Sequence, residues 1–534
     1  MAALTIGWEY LTGYAVATDP SSRDRAEWPP HPARVFMALA AAWFETGEDS
    51  DEGKALRWLE ALGEPEIVLP RFKDVHERTK VTVYVPVNDK ADAHSQPNKK
   101  KKAKIYPHLG SVQIGRNRQP RTFPRRYVGN APVFMHWTRA DGFDKHRDAL
   151  ARICAKVTRI GHSSSLVQMW AEEDDPKALG EAEHLVVDKG MPETHVRIFS
   201  AGMLDMLKEQ SGIVVRPQIR PTVGLWSGYR RIASPAHTDA TEFNTVFDPD
   251  IVVLRHVGGP RLPVASTLAV TRVLRKTIMS MSGVQPVPAW VSGHEQNSQP
   301  HSGSEGHMAC IPLPHVGGQH PDGHLLGIGL VFPRSVDRRE RGEVLGKLLV
   351  KPSGEPNTVD LKLGSLGVWR VEKCDWTETR RALKPESWTA YFDRQQGAKI
   401  WASVTPIVLD KFPKSNRTKN RSLWTQEVED IIKKSCERIG LPAPKYIDID
   451  TTCWHHGSPR ALGKRRPLRG HGALNTDAAL GDGFPLFPSR GTNAPRPQVH
   501  VWLEFDECVV GPVLLGVGRY MGYGLCKPLV EDSQ

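Results

Sequence analysis

The sequence has few cysteines, no long hydrophobic run and, in three of its segments, no acidic residue. Its seven cysteines are scattered and none forms a Cys-x-x-Cys pair, so a disulfide framework and a cysteine-based zinc ribbon are both disfavoured. The longest apolar run, residues 33–44, is far shorter than the ~20 residues that a membrane helix needs. The N-terminus also lacks the basic and apolar parts of a signal peptide. We therefore expect a cytoplasmic protein with no membrane contact.

The composition is that of a folded globular protein with an excess of positive charge. Hydrophobic residues make up 39% of the chain and charged residues 25%, which excludes a disordered or fibrous class. The 71 Lys and Arg residues exceed the 60 Asp and Glu residues and give a formal net charge of +11. This excess favours a polyanionic partner. At ~150 residues per domain, the length predicts roughly three to four domain-sized units.

The periodicity of apolar residues predicts an α+β fold. A strand region in residues 4–16 leads through a proline-rich turn to a helix over residues 33–45, and loop signals between residues 217 and 247 mark a division of the chain. The pattern then predicts strand, helix, strand, strand and helix at residues 251–256, 263–279, 307–316, 324–333 and 335–350. This order fits tandem ferredoxin-like β-α-β-β-α-β modules, two in each half, as four small sheets.

The three segments without acidic residues are rich in lysine and arginine. They cover residues 95–126, 411–421 and 454–476, and the first contains ten basic residues. Such side chains bind phosphates in a salt-dependent, sequence-independent way, although charge runs are often only solvated surface. We read the first segment as an RNA-contacting arm or hairpin. The RNA-binding candidates in the first and third segments are Arg116, Arg118, Arg121, Arg125, Arg126, Arg460, Lys464, Arg465 and Arg466.

A glycine cluster lies near the C-terminus, in residues 511–524. Its spacing is G-x-G-x-x-x-G-x-G, which matches neither the dinucleotide-binding fingerprint nor a P-loop. Exposed amides in such a loop would form an anion-binding concavity, and nearby tyrosines, Tyr520 and Tyr523, would stack on bases. The alternative is a glycine-rich bulge or tight turn. The RNA-binding candidates here are Gly516, Gly518, Arg519, Gly522 and Gly524.

The glycine cluster resembles the C-terminal glycine-rich loop of the RAMP superfamily of CRISPR-associated RNA-binding proteins. Residues 26–34 (AEWPPHPAR) resemble the entry to the first helix of the handle-capping Cas five subunit. Residues 293–327, with their Gly-His and Pro-Asp-Gly-His motifs, and residues 401–406 look like the fused Cas five–Cas six protein of type I-G (formerly I-U) systems. The similarity spans both halves of the chain.

This resemblance implies a handle-capping half, residues 1–245 with the basic arm 95–126, and a repeat endoribonuclease half, residues 246–534 with the glycine loop 511–524. The protein would process CRISPR precursor RNA and keep the mature guide RNA. Its expected partners are the repeat RNA and the backbone and large subunits of a type I Cascade complex, which contacts target DNA indirectly.

Six of the 21 histidines fall between residues 294 and 324, where acid–base chemistry is most plausible. Metal-independent cleavage needs a base at the 2′-hydroxyl and an acid at the 5′-oxygen, and it leaves a 2′,3′-cyclic phosphate. No cofactor is expected. The first catalytic candidate is His294, as the general base; His307 is the next, as base or acid, and His320 is the third. Arg272, Arg275, Lys276 and Arg519 are the candidates to hold the phosphate.

Two other interpretations remain open at this point. A zinc site formed by His307, Cys310, His315 and His320 would suit the metal's preference for imidazole and thiolate, but the spacing matches no common pattern. A metal-dependent nuclease would lose its activity on chelation. A non-enzymatic RNA-binding scaffold would bind repeat RNA tightly without cutting it.

Overall fold

The structure is a computed structural model that describes most of the chain. It covers residues 2–19, 22–71, 75–77, 81–86, 118–173, 176, 182–188, 190, 192–211, 224–232, 245–294, 306–318, 320–351, 356–374, 378, 380–391, 397–462, 483–488 and 495–529. Two compact units are present, the first Met1–Val187 with His195–Ile232 and the second Asp188–Thr194 with Ala233–Gln534. In the described part, no helix is long and apolar enough to cross a membrane.

The first unit is built on a seven-stranded sheet with the order β11-β1-β10-β5-β12-β14-β13. Its elements are β1 Leu4–Tyr10, β2 Tyr14–Val16, β3 Thr18–Asp19, β4 Ser22–Ala26, α1 Pro32–Glu45, α2 Ser50–Glu60, β5 Glu66–Leu69, β6 His76–Glu77, β7 Val81–Pro86, β8 Arg118–Phe123, β9 Arg125–Tyr127, β10 Val133–Trp137, α3 Phe143–Lys156, β11 Val167–Glu172, β12 Glu183–Val187, β13 Thr194–Ile198, α4 Met203–Ser211 and β14 Leu225–Ile232.

Helix α1 forms where the sequence predicts it. Proline in the first turn suits a position whose N–H has no helical partner, and Val35, Phe36 and Leu39 repeat at helical spacing and are fully buried. The preceding Glu27 is also buried, and Arg34 donates to its two oxygens at 2.7 and 2.6 Å. Burial opposes ionisation of Glu27, but the neighbouring cations outweigh it and lower its pKa. A buried ion pair therefore fixes the entry to α1.

The second unit contains two five-stranded antiparallel sheets. One has the order β16-β17-β15-β19-β18; the other has β21-β23-β20-β24, with β22 also paired to β23. The elements are β15 Val252–Gly258, α5 Thr267–Met281, α6 Ala289–Ser292, β16 Ala309–Pro314, β17 Leu325–Val331, α7 Arg338–Leu349, β18 Thr358–Lys362, β19 Val368–Lys373, α8 Glu386–Thr389, β20 Ala398–Ser403, β21 Ile407–Val408, α9 Arg421–Arg438, β22 Tyr446–Asp450, β23 Gln498–Val509 and β24 Cys526–Pro528.

The α+β class agrees with the sequence prediction, but the strands that the structure describes do not form the expected four small sheets. In the first unit, β12 pairs with β5 at Glu183↔Leu69, so the later strands extend the first sheet instead of making another. Periodicity shows that a strand has a buried face but not which sheet edge it joins, because edge pairing is made by backbone groups common to all residues. The sequence prediction does not include helix α9, although Trp424, Val428 and Ile432 repeat at helical spacing and are buried.

Candidate functional site

The candidate site lies just before strand β16, where His307 meets helix α5 and a short turn near the C-terminus. The chain around His307 is held in place by backbone hydrogen bonds: Met308 N–H donates to the Trp290 carbonyl in α6 at 2.7 Å, and Gly293 N–H donates to the Ala289 carbonyl, also at 2.7 Å. The short α6 and its C-terminal glycine therefore form one wall of the site.

The imidazole of His307 lies between an aromatic ring and a guanidinium. The ring of Tyr520 stacks on it, with centroids 3.5 Å apart and planes 26° from parallel. The Arg275 guanidinium of α5 approaches the His307 Nδ1 atom at 3.4 Å. The same Nδ1 is 3.2 Å from the Met308 carbonyl oxygen. These contacts fix the orientation of the ring and turn Nε2 towards Gly293.

Two glycines make room for this arrangement. A Cβ on Gly293 would lie 2.9 Å from Arg275 Nη2 and 3.1 Å from His307 Nε2, and the residue has a φ of +71°. A Cβ on Gly306 would lie 2.8 Å from the Tyr520 hydroxyl, at a φ of +74°. Both positions combine a left-handed backbone with a close approach, so a side chain would strain the backbone and crowd the site.

Arg275 brings to the site a positive charge that no carboxylate among the described residues neutralises. Arg275 is half-buried, and no described carboxylate pairs with it. Burial lowers its pKa, opposed by Cys310 and Tyr520, but a guanidinium remains a cation at neutral pH. The Arg519 guanidinium carbon lies 4.7 Å from the centroid of the Tyr520 ring. The Arg519 guanidinium already has two partners: it donates to the Gly516 carbonyl at 2.8 Å and forms an ion pair with Asp410 at 3.9 Å.

The catalytic candidates do not form one cluster. His294 follows Gly293 directly and so lies beside the site, but its side chain is exposed and its Nδ1 is 3.1 Å from the Ser292 carbonyl. His320 is in the connection after β16, exposed and with a φ of +52°. The six residues of β16 extend ~20 Å, so His307 and the connection that carries His320 lie at opposite ends of this strand.

The glycine loop does not form the expected open cradle of amides, which corrects the sequence prediction. Gly516 N–H donates to the Ser435 hydroxyl and Gly524 N–H to the Pro406 carbonyl, both at 2.9 Å. A Cβ on Gly522 would lie 2.5 Å from Thr267 Cγ2 in α5, and one on Gly518 2.7 Å from Tyr523 Cβ. Most of the loop is buried, so its glycines serve close packing rather than anion binding.

The two tyrosines of the loop have different surroundings from those expected. Tyr523 is fully buried, and its hydroxyl donates to the Pro485 carbonyl at 3.0 Å, so it cannot stack on a base. Tyr520 belongs to a 3₁₀ turn, Arg519–Met521, that packs against α5, where the Thr271 hydroxyl donates to the Met521 carbonyl at 3.0 Å. The loop thus contributes one side chain, Tyr520, to the candidate site.

The other RNA-binding candidates are spread over the two units. Arg272 and Lys276 are exposed on α5, next to Arg275, and pair with no carboxylate in the described ranges. Arg121 and Arg460 are exposed elsewhere. Arg125 lies with its guanidinium carbon 4.8 Å from the Tyr14 ring centroid, and Arg126 is only 4% exposed, which corrects its expected place on an open RNA-contacting row. Arg118 lies in β8, whereas Arg116, Lys464, Arg465 and Arg466 fall outside the described residues.

Sequence reasoning missed Gly293, Gly306 and the role of Tyr520. A signal was present, since each of the two candidate histidines beside the site follows a glycine, in Gly293-His294 and Gly306-His307. A repeated Gly-His pair indicates a histidine set on a tight backbone turn. No local pattern indicates that Tyr520 stacks on His307, because the two residues lie far apart in the sequence.

The fold is thus an α+β arrangement of antiparallel sheets, and the site in its second unit combines a histidine with a neighbouring arginine. Over residues 7–528 the sequence matches the CRISPR-associated protein, GSU0054 family, and the chain belongs to that family. No curated protein matches the sequence. A similar solved structure is described as "Characterization of a Cas6-related gene from Pyrococcus furiosus"; it is 12% identical, covers 53% of this chain and 98% of its own, and has a TM-score of 0.23. That score is too low for the likeness to support a fold or an activity.

Proposed function

We propose that this protein cleaves CRISPR precursor RNA within its repeats, without a metal ion, and retains the guide RNA. The observation that supports this most is the half-buried Arg275, which has no carboxylate partner among the described residues and lies against the imidazole of His307. A half-buried cation with no carboxylate partner in the described part of the chain favours a bound anion such as a phosphodiester. Membership of a CRISPR-associated family makes repeat RNA the natural source of that anion.

His307 is the proposed general base. When its Nδ1–H donates to the Met308 carbonyl, Nε2 carries the lone pair that can take the proton of the 2′-hydroxyl. The 2′-oxygen then forms a bond to phosphorus as the bond to the 5′-oxygen breaks, which gives a 2′,3′-cyclic phosphate and a 5′-hydroxyl. Arg275 stabilises the added charge on the phosphate. His294, next to Gly293, is the proposed donor of the proton to the leaving 5′-oxygen.

The proposed fold is a set of ferredoxin-like modules, and the sheet orders support it. In the first unit, β1-α1-β5-β10-α3-β11 has the spatial order β11-β1-β10-β5. In the second, β15-α5-β16-β17-α7-β19 has the order β19-β15-β17-β16. Both place the fourth strand beside the first and the third between the first and second, as in β-α-β-β-α-β modules.

A third such set, β20-α9-β22-β23-β24, has the order β24-β20-β23-β22 and lacks a second helix. The glycine loop occupies that place in the chain, between β23 and β24. This accounts for its buried glycines, since it must fill against α5 and β16 the space that a helix would otherwise cover. On this proposal, residues 1–245 are the handle-capping half and residues 246–534 the endoribonuclease half.

Retention of the product is proposed to depend on the exposed basic loop 411–421, which begins beside the site. Asp410 lies 3.9 Å from Arg519, and Arg519 lies over Tyr520, so the loop continues from the catalytic cluster. The loop is ordered by its own contacts: the Ser415 N–H and hydroxyl both donate to Glu427 in α9 at 2.9 Å. Its cations suit the backbone of a repeat hairpin. They are Lys411, Lys414, Arg417, Lys419 and Arg421.

Because the same chain would hold the cut RNA, cleavage is expected to be single-turnover. The bound RNA would then nucleate assembly with the backbone and large subunits of a type I Cascade complex, and target DNA would be reached only through the guide RNA. These partners are proposed from the family and from the resemblance described above.

The test is to incubate the purified full chain with labelled repeat RNA in EDTA. We expect one cut with a 2′,3′-cyclic phosphate end, complete loss of cutting in His307→Ala with RNA binding retained, and normal cutting in His320→Ala, which lies at the other end of β16. Cutting that needs a divalent metal would replace the proposal with a metal-dependent nuclease. Tight binding without cutting by the wild type would select a non-catalytic guide-RNA-binding subunit.

A further inference from the structure

A second histidine cluster lies at the opposite end of β16, and we propose that it binds a divalent transition-metal ion. Its members are His315, Asp322 and His324, which flank the connection between β16 and β17. The inference goes beyond the proposed RNA cleavage and does not depend on it.

The ligand atoms already converge. One ligand atom from each of His315, Asp322 and His324 lies within 4.8 Å of the other two. The carboxylate oxygen is 3.4 Å from His315 Nδ1 and 2.5 Å from His324 Nδ1. Bonds of ~2.1 Å in a tetrahedral zinc site place ligand atoms ~3.4 Å apart. The His315–Asp322 separation already has this value, and the His324–Asp322 separation would have to lengthen by about an ångström.

Backbone contacts hold the two histidines in this arrangement. His315 N–H donates to the His324 carbonyl at 2.8 Å, so the two residues face each other across the base of the hairpin. Gly323 N–H returns to the His315 carbonyl at 3.0 Å, and Gly317 N–H donates to the His456 carbonyl at 3.0 Å. The loop is therefore tied both to itself and to a neighbouring segment, and the ligands need little reorganisation to bind an ion.

The cluster also has the charge that a metal ion requires. The carboxylate of Asp322 contacts both imidazoles and would supply the negative charge. Arg261 forms an ion pair with this carboxylate, and its Nη2 is 3.0 Å from His324 Nδ1. A cation thus already lies at the point of convergence. Its side chain is 65% exposed, so it can move into solvent when a metal ion takes its place.

Two imidazoles and one carboxylate favour Zn²⁺, Co²⁺ or Ni²⁺ over Mg²⁺ or Ca²⁺, which prefer oxygen ligands alone. This ligand set shares only His315 with the zinc site considered from the sequence. Cys310 of that set is fully buried within β16, and His307 belongs to the other end of the strand. The proposed ion would hold the β16–β17 connection in place, and its remaining coordination positions would be open to water.

The test is calorimetric titration of the EDTA-stripped, dialysed full chain with ZnCl₂, supported by the visible absorption of CoCl₂ complexes. We expect one site in the wild type. The affinity for Zn²⁺ should fall by at least about 100-fold in Asp322→Asn and in His324→Ala. Loss of a residue that only hydrogen-bonds to a metal ligand already costs about 10–100-fold, and loss of a ligand itself should cost more. Arg261→Ala should bind several-fold more tightly, because it removes the competing cation.

His320→Ala is the matched control, because His320 lies in the same connection but outside the cluster, and it should bind like the wild type. Thermal unfolding in EDTA establishes that each variant is folded. Absence of binding by the wild type, unchanged binding by folded Asp322→Asn, or loss of binding in folded His320→Ala would each overturn the proposed ligand set.

Discussion

The two ends of strand β16 present histidines to partners of opposite charge. Before the strand, His307 contacts the guanidinium of Arg275, which has no carboxylate partner in the part of the chain that the structure describes. After the strand, His315 and His324 both contact the carboxylate of Asp322. The same type of side chain therefore lies beside a cation at one end of the strand and beside an anion at the other.

This difference shows that the residue type alone does not assign the chemistry of a histidine. An imidazole beside a guanidinium that has no carboxylate partner among the described residues would suit proton transfer at a bound phosphate, because a neighbouring cation attracts phosphate. An imidazole that shares a carboxylate suits a metal ion, because its lone pair and the negative charge point to the same place. The following variants separate the two environments, and each has its own readout.

Arg275→Ala should have the largest effect. It removes the charge proposed to stabilise the transition state, so single-turnover cleavage of repeat RNA should slow by about 10²–10³-fold, the loss typical of one such donor. RNA affinity should change much less. Arg275→Lys, which keeps the charge but loses the planar fork, should recover part of the rate. An unchanged cleavage rate in Arg275→Ala would remove this guanidinium from the mechanism.

A third kind of histidine provides a reference for both ends of β16. His500 is buried, with Nδ1 3.0 Å from the Ser403 hydroxyl and Nε2 3.1 Å from the Pro459 carbonyl. Burial lowers its pKa from 6.5 to about 4. Between these two pH values the imidazole is protonated in the unfolded chain but not in the folded chain. The stability that neutral His500 contributes to the fold is therefore complete above about pH 6.5 and is lost as the pH falls towards 4.

The contribution of His500 to this loss is up to about 3 kcal/mol, at 1.36 kcal/mol for each unit of pKa difference. Urea unfolding between pH 7 and pH 4 should therefore show a smaller loss of stability in His500→Gln than in the wild type. His456→Gln, at an exposed histidine of the same unit, should keep the wild-type slope. Equal slopes in His500→Gln and the wild type would show that His500 does not titrate as described.

Gly293→Ala should have an intermediate effect at the His307 end. The added Cβ crowds Arg275 and His307, so cleavage should slow by about ten-fold, in addition to ~1 kcal/mol of lost stability from the left-handed backbone. Gly364→Ala is the matched control, since Gly364 has a φ of +63° and no atom within 4 Å of its Cβ position. If both variants cleave RNA equally well, the close approach at Gly293 has no part in catalysis.

Arg272→Ala should have the smallest effect. Arg272 is exposed on α5, one turn before Arg275, and contributes screened charge rather than a fixed contact. RNA affinity should fall by about 1 kcal/mol, and the slope of log affinity against log salt should decrease by ~1, with the cleavage rate of bound RNA unchanged. A strong loss of rate in this variant would mean that the exposed face of α5, and not Arg275 alone, holds the cleaved phosphate.

Several elements could be predicted because their signals are local. Pro32 and the spacing of Val35 and Leu39 predict α1, and the alternation of basic and apolar residues predicts α5, which begins within a few residues of its expected start. The glycine spacing marks the loop 511–524 as special, but it does not show whether the loop binds anions or allows close packing. Glycines serve close packing and anion binding equally well, and only the neighbours of Gly522 and Gly524 decide between them.

The sequence by itself determined the α+β class, the positions of helices α1, α5 and α7 and the concentration of histidines between residues 294 and 324, because these follow from short-range periodicity and composition. The tertiary structure decided which histidine meets which charge. Arg275 and His307 are 32 residues apart, and Tyr520 joins them from near the other end of the chain. Such contacts arise only when strands and helices pack, so no local pattern encodes them.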